Sequence, residues 1–163
     1  MNILLIRHGQ SEWNASGRWQ GQADPPLTEL GREQAHLAVE TVRELSLEKL
    51  FSSDLRRALE TAGILASGLG LDRVLIEPLL RERNAGEFTG LTSEEIEERF
   101  PGFLSSGERP AGYEPDPALL ERLMQALAAV TREEEAAHLK VIGIVAHGGL
   151  IRLLEETYGS EPY

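Results

Sequence analysis

Cysteine is absent from the 163-residue chain. That removes disulfides, thiolate metal ligands and cysteine nucleophiles together. No apolar run approaches the roughly 20 residues that a membrane-spanning helix needs. The opening MNILLIRHG has no basic segment, and its apolar run is too short for a secretion signal. A cytoplasmic location is the resulting expectation. Basic residues are in deficit as well, 16 against 27 acidic ones, for a net charge of −11. A field of that sign repels nucleic acid and anionic membranes at long range, so neither is expected as a partner. Small anionic ligands stay open, because a local pair of arginines dominates within a Debye length of about 8 Å. Neither an HExxH pair nor an aspartate-rich phosphatase signature occurs.

What is present is ordinary in bulk: 41% apolar and 26% charged residues, as in soluble globular proteins. The length suits a single domain, 1–163, with a real core. No repeat or linker divides it. Strands and helices alternate, the pattern of an α/β fold with a mostly parallel sheet. Strands are expected at Ile3–Ile6, near Leu50–Phe51, in RVLIEP and at Lys140–Ala146. Thr28 is placed to cap a helix burying Gly31, Ala35, Ala38, Val42 and Leu45. Ser53 or Asp54 is placed to cap one burying Leu55, Ala58, Leu59, Ala62 and Leu65. TSEE at 92–95 reads as a capping box. Asp116-Pro117 reads as the N-cap and first residue of a helix burying Leu120, Leu123, Met124, Leu127 and Val130. A last helix is expected over Leu150–Tyr158.

Two strands end in the same way: NILLIRHG and VIGIVAHGG both run into His-Gly. Ligands of parallel sheets bind beyond the carboxyl ends of the strands. If these two strands lie side by side, His8 and His147 face each other across one crevice. In SSDLRRALETA, Arg56 and Arg57 occupy the first turn of a helix, where the macrodipole disfavours cations; a bound anion removes the conflict. Arg57 precedes the inward Ala58 and points at the crevice, whereas Arg56 is solvated. LLRERNAGEFTG is a charged loop after another strand, and it offers Glu82, with Glu77 and Glu87 as unranked rivals. Arginines, two imidazoles and a carboxyl group suit phosphoryl transfer to a side chain. Flanking guanidinium groups lower a histidine's pKa and keep it neutral, and they make a metal unnecessary.

In this arrangement the chain resembles the histidine phosphatase superfamily, its cofactor-dependent phosphoglycerate mutase-like group. LIRHGQSEWN, GRWQGQADPPLTELGREQA, SSDLRRALETA, LRERNAGEFTG and VAHGG match in order and at suitable spacing, from residue 3 to about 153. The resemblance implies a three-layer sandwich, with helices on both faces of the sheet and a small cover over 84–115. It implies His8 as the nucleophile of a phosphohistidine intermediate and Glu82 as the proton donor. Arg7, Arg57 and His147 would complete the phosphate pocket, with Asn14, Gln20, Gly21 and Gly148 binding substrate. The short cover favours metal-independent hydrolysis of a small phosphorylated metabolite without a cofactor. Mutase chemistry, which would use 2,3-bisphosphoglycerate, is the alternative, and RERNAG echoes the mutases. The family's Gly-Glu-Ser segment reads AGYEPD here, and the chain ends at Tyr163 where relatives continue into at least one more strand.

Three rivals stand beside this reading. Gly9-Gln10-Ser11 begins like a serine-hydrolase elbow, but Trp13 replaces its last glycine. A phosphate-binding pseudo-enzyme would have lost one of the five catalytic candidates, and all five are present. A metal held by His8, His147 and Glu82 would be repelled by two neighbouring arginines. His36 and His138 read as surface residues; Trp13, Trp19 and Phe88 read as loop residues around the mouth. Oligomeric state is open, a dimer included.

Overall fold

The computed structural model describes residues 1–136 and 138–159. Strands β1 (Asn2–Arg7), β2 (Lys49–Ser52), β3 (Val74–Ile76) and β4 (Val141–Ala146) form one sheet in the order β1-β4-β2-β3. All three pairings are parallel. A parallel strand covered on both faces reads as a continuous apolar run, and β4, VIGIVA, buries Ile142 to Ala146. Arg7 pairs with Ala146 and Ser52 with Val145, so β1, β4 and β2 end level with one another. The residues that follow, His8, His147 and Ser53, therefore emerge along one edge.

Seven helices are described: α1 (Glu12–Ala15), α2 (Glu29–Glu44), α3 (Arg56–Leu69), α4 (Ser93–Arg99), α5 (Phe103–Ser106), α6 (Asp116–Ala136) and α7 (Gly148–Tyr158). α2 and α3 cover one sheet face through Val39, Val42, Ala58, Ala62, Leu65 and Ala66. α6 and α7 cover the other through Leu119, Leu123, Ala126, Val130, Leu150 and Leu153. The result is the expected three-layer sandwich. Among the described residues no helix is long and apolar enough to cross a membrane.

Helical faces are mostly as periodicity indicates, with displacements at the ends. On α6 the buried stripe runs through Leu119, Leu123, Ala126 and Val130, with Leu120 and Leu127 at its margin and Met124 exposed. Leu45 is likewise exposed, because it lies at the C-cap of α2, beyond the covered turn. Thr28 caps α2 by accepting the Gly31 N–H, and Thr92 with Glu95 forms the capping box of α4. α6 begins at Asp116 itself.

The start of α3 differs from expectation. Its N-cap is Leu55, which has no side chain to cap with. Asp54 is taken by Arg81, whose Nε donates to it at 2.7 Å, and Ser53 Oγ accepts the N–H of Leu55. The Arg56 N–H is capped from outside, by Asp24 Oδ1 at 2.6 Å. A loop 32 residues away in sequence therefore does the work of a local cap.

The segment 84–115 has a small core of its own. Phe88 and Ile96 are fully buried there, with Trp19 and Phe100 stacked edge-on against Phe88. Trp19 thus ties the loop after α1 to this cover. So does Arg18, which donates to the Gly90 carbonyl and pairs with Glu95.

Ile144 sits fully buried in a central strand against α6 and α7. Ile144→Ala is expected to cost about 2–5 kcal/mol, read as a drop in urea midpoint at unchanged slope.

Candidate active site

A cavity of about 750 Å³ opens at the carboxyl edge of the sheet. Seven of the nine residues singled out from sequence line it: Arg7, His8, Asn14, Gln20, Gly21, Glu82 and Gly148. The other two, Arg57 and His147, are fully buried behind its wall. The parallel pairing of β1 with β4 brings the rings of His8 and His147 to a centroid separation of 5.1 Å.

His8 Nδ1 donates to the carbonyl of Gly9 at 2.6 Å. A carbonyl only accepts, so the proton of the neutral ring sits on Nδ1, and Nε2 carries the free lone pair. Burial lowers the His8 pKa to about 4 against the opposing Gly9 bond, and the charges of Arg57 and Arg7 add to the fall. His147 is pushed well below the ordinary range, first by burial and then by Arg57 and His8. Its Nε2 lies 3.0 Å from Ser53 Oγ, while its Nδ1 is buried without a hydrogen-bond partner.

Arg57 is the largest fully buried side chain, and no carboxylate among the described residues stands at ion-pair distance from it. Nη1 donates to the Ala23 carbonyl at 2.7 Å and Nη2 to that of Gly21 at 2.9 Å; Nε has no partner. Burial lowers its pKa to about 10, moderated by the charges of Glu82 and Asp24. The expected division of labour between neighbours holds. Arg56 is exposed and paired with Glu60, and Arg57 points inward. Arg7 lies across Gly148, where a Cβ would meet its Nε at 3.2 Å.

Two amides on the wall are oriented by Ser11, which is fully buried. Its backbone N–H donates to Asn14 Oδ1 and its hydroxyl to Gln20 Oε1 at 2.6 Å. With both amide oxygens held, both NH₂ groups are left to face an acceptor in the cavity. Ser11 was read from sequence only as a weak nucleophile candidate. The S-x-x-N spacing at 11–14, a capping box that the structure bears out, is the signal that identifies it. Gly21 has φ of +50° and stands where a Cβ would meet Ala85 N at 2.8 Å, so the loop packs tightly on the cover.

Of the three glutamates left open from sequence, only Glu82 lines the cavity. Its Oε2 accepts the Gly149 N–H at the start of α7, and its Oε1 accepts the N–H of Arg83. Glu77 caps a 3₁₀ turn through the Leu79 N–H, and Glu87 is exposed on the cover. Gly149 is a residue the sequence reading passed over. A Cβ there would lie 2.3 Å from Glu82 Oε1. Trp13 lies in α1 with its ring under Gly90, Phe88 is core, and Trp19 both packs and lines the cavity. His36 and His138 are exposed. Among the described residues no cluster of three histidine or carboxylate side chains is arranged to hold a metal ion.

The profile of the histidine phosphatase superfamily (branch 1) matches residues 3–161. The chain belongs to that superfamily. Within it, the chain is 36% identical over 162 residues to phosphoglycerate mutase-like protein 4 of Arabidopsis thaliana, covering 94% of this chain and 69% of the relative. It is also 36% identical over 160 residues to the metal-independent phosphoserine phosphatase of the same plant, covering 93% and 66%. Among superfamily structures, mycobacterial glucosyl-3-phosphoglycerate phosphatase complexed with VO3 superposes with a TM-score of 0.86 at 34% identity, over 95% of this chain and 78% of that one. The chain thus spans about two thirds of the length of the two plant relatives.

The two buried histidines of this superfamily member have a thermodynamic consequence. Unfolded, each takes a proton near pH 6.5; folded, both stay neutral well below that, His8 down to about 4. The unfolded state therefore binds more protons in this window, and stability falls as pH falls. Between pH 7 and pH 5 the loss is expected to be roughly 2–4 kcal/mol for the pair. Urea unfolding at the two pH values checks this, and His8→Asn and His147→Asn should each flatten the dependence.

Proposed function

We propose that this protein is a metal-independent phosphomonoester hydrolase acting through a phosphohistidine at His8 on a small phosphorylated substrate. The observation that carries the reading is a neutral His8, with its lone pair fixed on Nε2, beside a buried guanidinium that has no carboxylate at ion-pair distance among the described residues. A buried cation without an anionic partner is costly, and a phosphate group supplies the missing charge. The relatives named as phosphatases support hydrolysis as the outcome.

In the reaction, the phosphoryl group sits among Arg7, Arg57 and His147, with the Asn14 and Gln20 amides and the Gly148 backbone completing the cradle. His147 Nδ1 and Arg57 Nε, both without partners, are donors for its oxygens. His8 Nε2 attacks phosphorus in line; the P–O ester bond breaks, and the leaving oxygen takes the proton of the Glu82 carboxyl group. Water then attacks phosphorus from the vacated side and returns a proton to Glu82. The Nε2–P bond breaks, releasing inorganic phosphate. Charge on the equatorial oxygens is stabilised by guanidinium groups already in place, so no metal is invoked.

Turnover of p-nitrophenyl phosphate in EDTA tests the proposal. His8→Ala should lower kcat by roughly 10³-fold or more, and an acid-sparing quench of the unaltered protein should trap a phosphoryl adduct on residue 8. Steady turnover with no such adduct would refute the reading. A panel of phosphomonoesters with and without 2,3-bisphosphoglycerate separates hydrolysis from mutase transfer. Ser11→Ala should keep its turnover while KM rises severalfold, because the hydroxyl that orients the Gln20 amide is lost while the backbone N–H that holds Asn14 remains.

Gly149→Ala separates stability from activity. The added methyl displaces the flexible Glu82 carboxyl group rather than backbone, and alanine favours the helix by up to about 1 kcal/mol. Tm should hold or rise while kcat on an alkyl phosphate falls about tenfold or more.

A further inference from the structure

Arg122, on α6, does not line the cavity and touches none of the groups assigned to the phosphate. All five of its N–H donors are nonetheless used, and all on one loop and its anchor. Nη1 donates to the carbonyls of Leu79 at 2.6 Å and Arg81 at 2.8 Å, and Nη2 reaches that of Glu82 at 3.4 Å. Nε and Nη2 fork onto the two oxygens of Glu114 at 2.9 and 2.8 Å. The same carboxylate accepts the Asn84 N–H at 3.1 Å. One ion pair, with both side chains less than a fifth exposed, therefore grips the backbone on both sides of Glu82. From the opposite side Gln22 Nε2 donates to the Glu82 carbonyl at 3.1 Å.

This grip is placed where sheet and helix ladders offer none. Residues 79–84 lie outside every strand and α-helix, so no ladder fixes their height above the sheet. Three carbonyls that a strand or helix would have satisfied converge on a single guanidinium, whose rigid fork suits such a task. Among the described residues the Glu82 carboxyl group itself is held by two backbone N–H groups, those of Arg83 and Gly149. Where the backbone goes, the carboxyl group goes, and a displacement of about 1 Å suffices to spoil a proton transfer.

We propose that Arg122, with Glu114 as its counter-ion, is a positioning residue that sets the Glu82 carboxyl group at the height of the leaving oxygen. The proposal rests on Glu82 being the proton donor. It makes Arg122 matter in proportion to the basicity of the leaving group. An alkoxide needs its proton as the P–O bond breaks, whereas p-nitrophenolate departs without one.

The experiment is a leaving-group series, from p-nitrophenyl phosphate to alkyl phosphates, with kcat/KM measured for four variants. Glu82→Gln tests the underlying reading: its loss should be far greater for alkyl than for p-nitrophenyl phosphate, and a flat loss would remove Glu82 as proton donor. Arg122→Lys, Arg122→Met and Glu114→Gln test the new proposal. Each should show the same selective pattern at smaller amplitude, about tenfold or more on alkyl phosphates and under about threefold on p-nitrophenyl phosphate. Inhibition by inorganic phosphate should be unchanged, since the cradle is untouched. If Glu82→Gln is selective while the Arg122 and Glu114 variants lose activity equally across the series, or lose none, the proposal is overturned. Arg122→Lys keeps the charge and decides the matter should Arg122→Met fail to fold. Combining Arg122→Lys with Glu82→Gln should add no further selective loss.

Discussion

A positive charge buried with no carboxylate in contact, among the described residues, is the constraint around which this molecule is organised. Arg57 is fully enclosed at the head of α3, at the end of the helix where backbone dipoles are least hospitable to a cation. The protein offsets this at contact distance with oxygen dipoles, the carbonyls of Gly21 and Ala23 each taking an Nη donor, while the charges of Glu82 and Asp24 act from farther off. Much of the surrounding geometry follows. The loop 20–24 must fold over the guanidinium to present those carbonyls, and Asp24, at its end, then falls on the Arg56 N–H and caps the helix. Gly21 is needed where the loop touches Ala85, so the cover is brought down on the same point. A carboxylate in ion-pair contact would have neutralised Arg57 and closed the site to anions. The arrangement keeps the charge available.

The same economy of local charge explains how an anionic substrate is accommodated on an acidic chain. Net charge is −11, but several acids near the site are engaged. Asp54 is held by Arg81, whose hydrogen bond keeps its carboxyl group below the usual range. Burial would raise Glu114, yet Arg122, the Asn84 N–H and Arg83 outweigh it. Glu95 is paired with Arg18. The charged side chains that line the cavity are Arg7, Arg18, Arg83, Arg109 and Arg152 against Glu82, Asp116 and Glu156, so the balance at short range is cationic, and within a Debye length short range decides. The two histidines fit this picture because both are neutral. Protonating either would add a third charge beside Arg7 and Arg57, and protonating His8 would also remove the Nε2 lone pair that the proposed reaction uses.

Much of this was legible in the sequence, for identifiable reasons. A buried parallel strand announces itself as an unbroken apolar run, and two such runs ending in His-Gly place His8 and His147 at strand ends. The register of β1 on β4 makes them neighbours. Arg57 was separable from Arg56 because it precedes a buried alanine on a periodic helix. Thr28 and Thr92 were readable because a cap acts within three residues of itself. What could not be read depends on contacts between distant loops. Asp24 as the cap of α3, Arg122 on the carbonyls of 79–82 and Gln22 on Glu82 have no local periodicity. The failure over Ser53 and Asp54 has the same origin: both carry suitable side chains, and both are claimed by partners that only the fold brings near. Residue type alone could not rank Glu77, Glu82 and Glu87 either. One is consumed by its own turn and one faces out from the cover, which leaves Glu82 by position rather than by chemistry.

The two halves of the site differ in how firmly the fold holds them, and the difference matches their tasks. In the half proposed to hold phosphate, His8 and His147 stand at strand ends fixed by register and Arg57 is buried in the first turn of α3, so that on the proposed reading donors and nucleophile need no rearrangement when the anion arrives. The acid half stands on a loop, positioned by one clamped ion pair, one glutamine and two N–H groups of the backbone. A phosphate is the same in every substrate, so a rigid cradle for it is no disadvantage. On the proposed reading the leaving group differs from one substrate to the next, and the Glu82 loop runs on directly into the cover. Through Glu114, the Arg122 clamp joins that loop to the end of the cover at residue 114. Under the proposed mechanism, placement of the Glu82 carboxyl group and shape of the cover are therefore mechanically linked. On that reading, a change in the cover that admits a different alcohol also moves the carboxyl group proposed to protonate it.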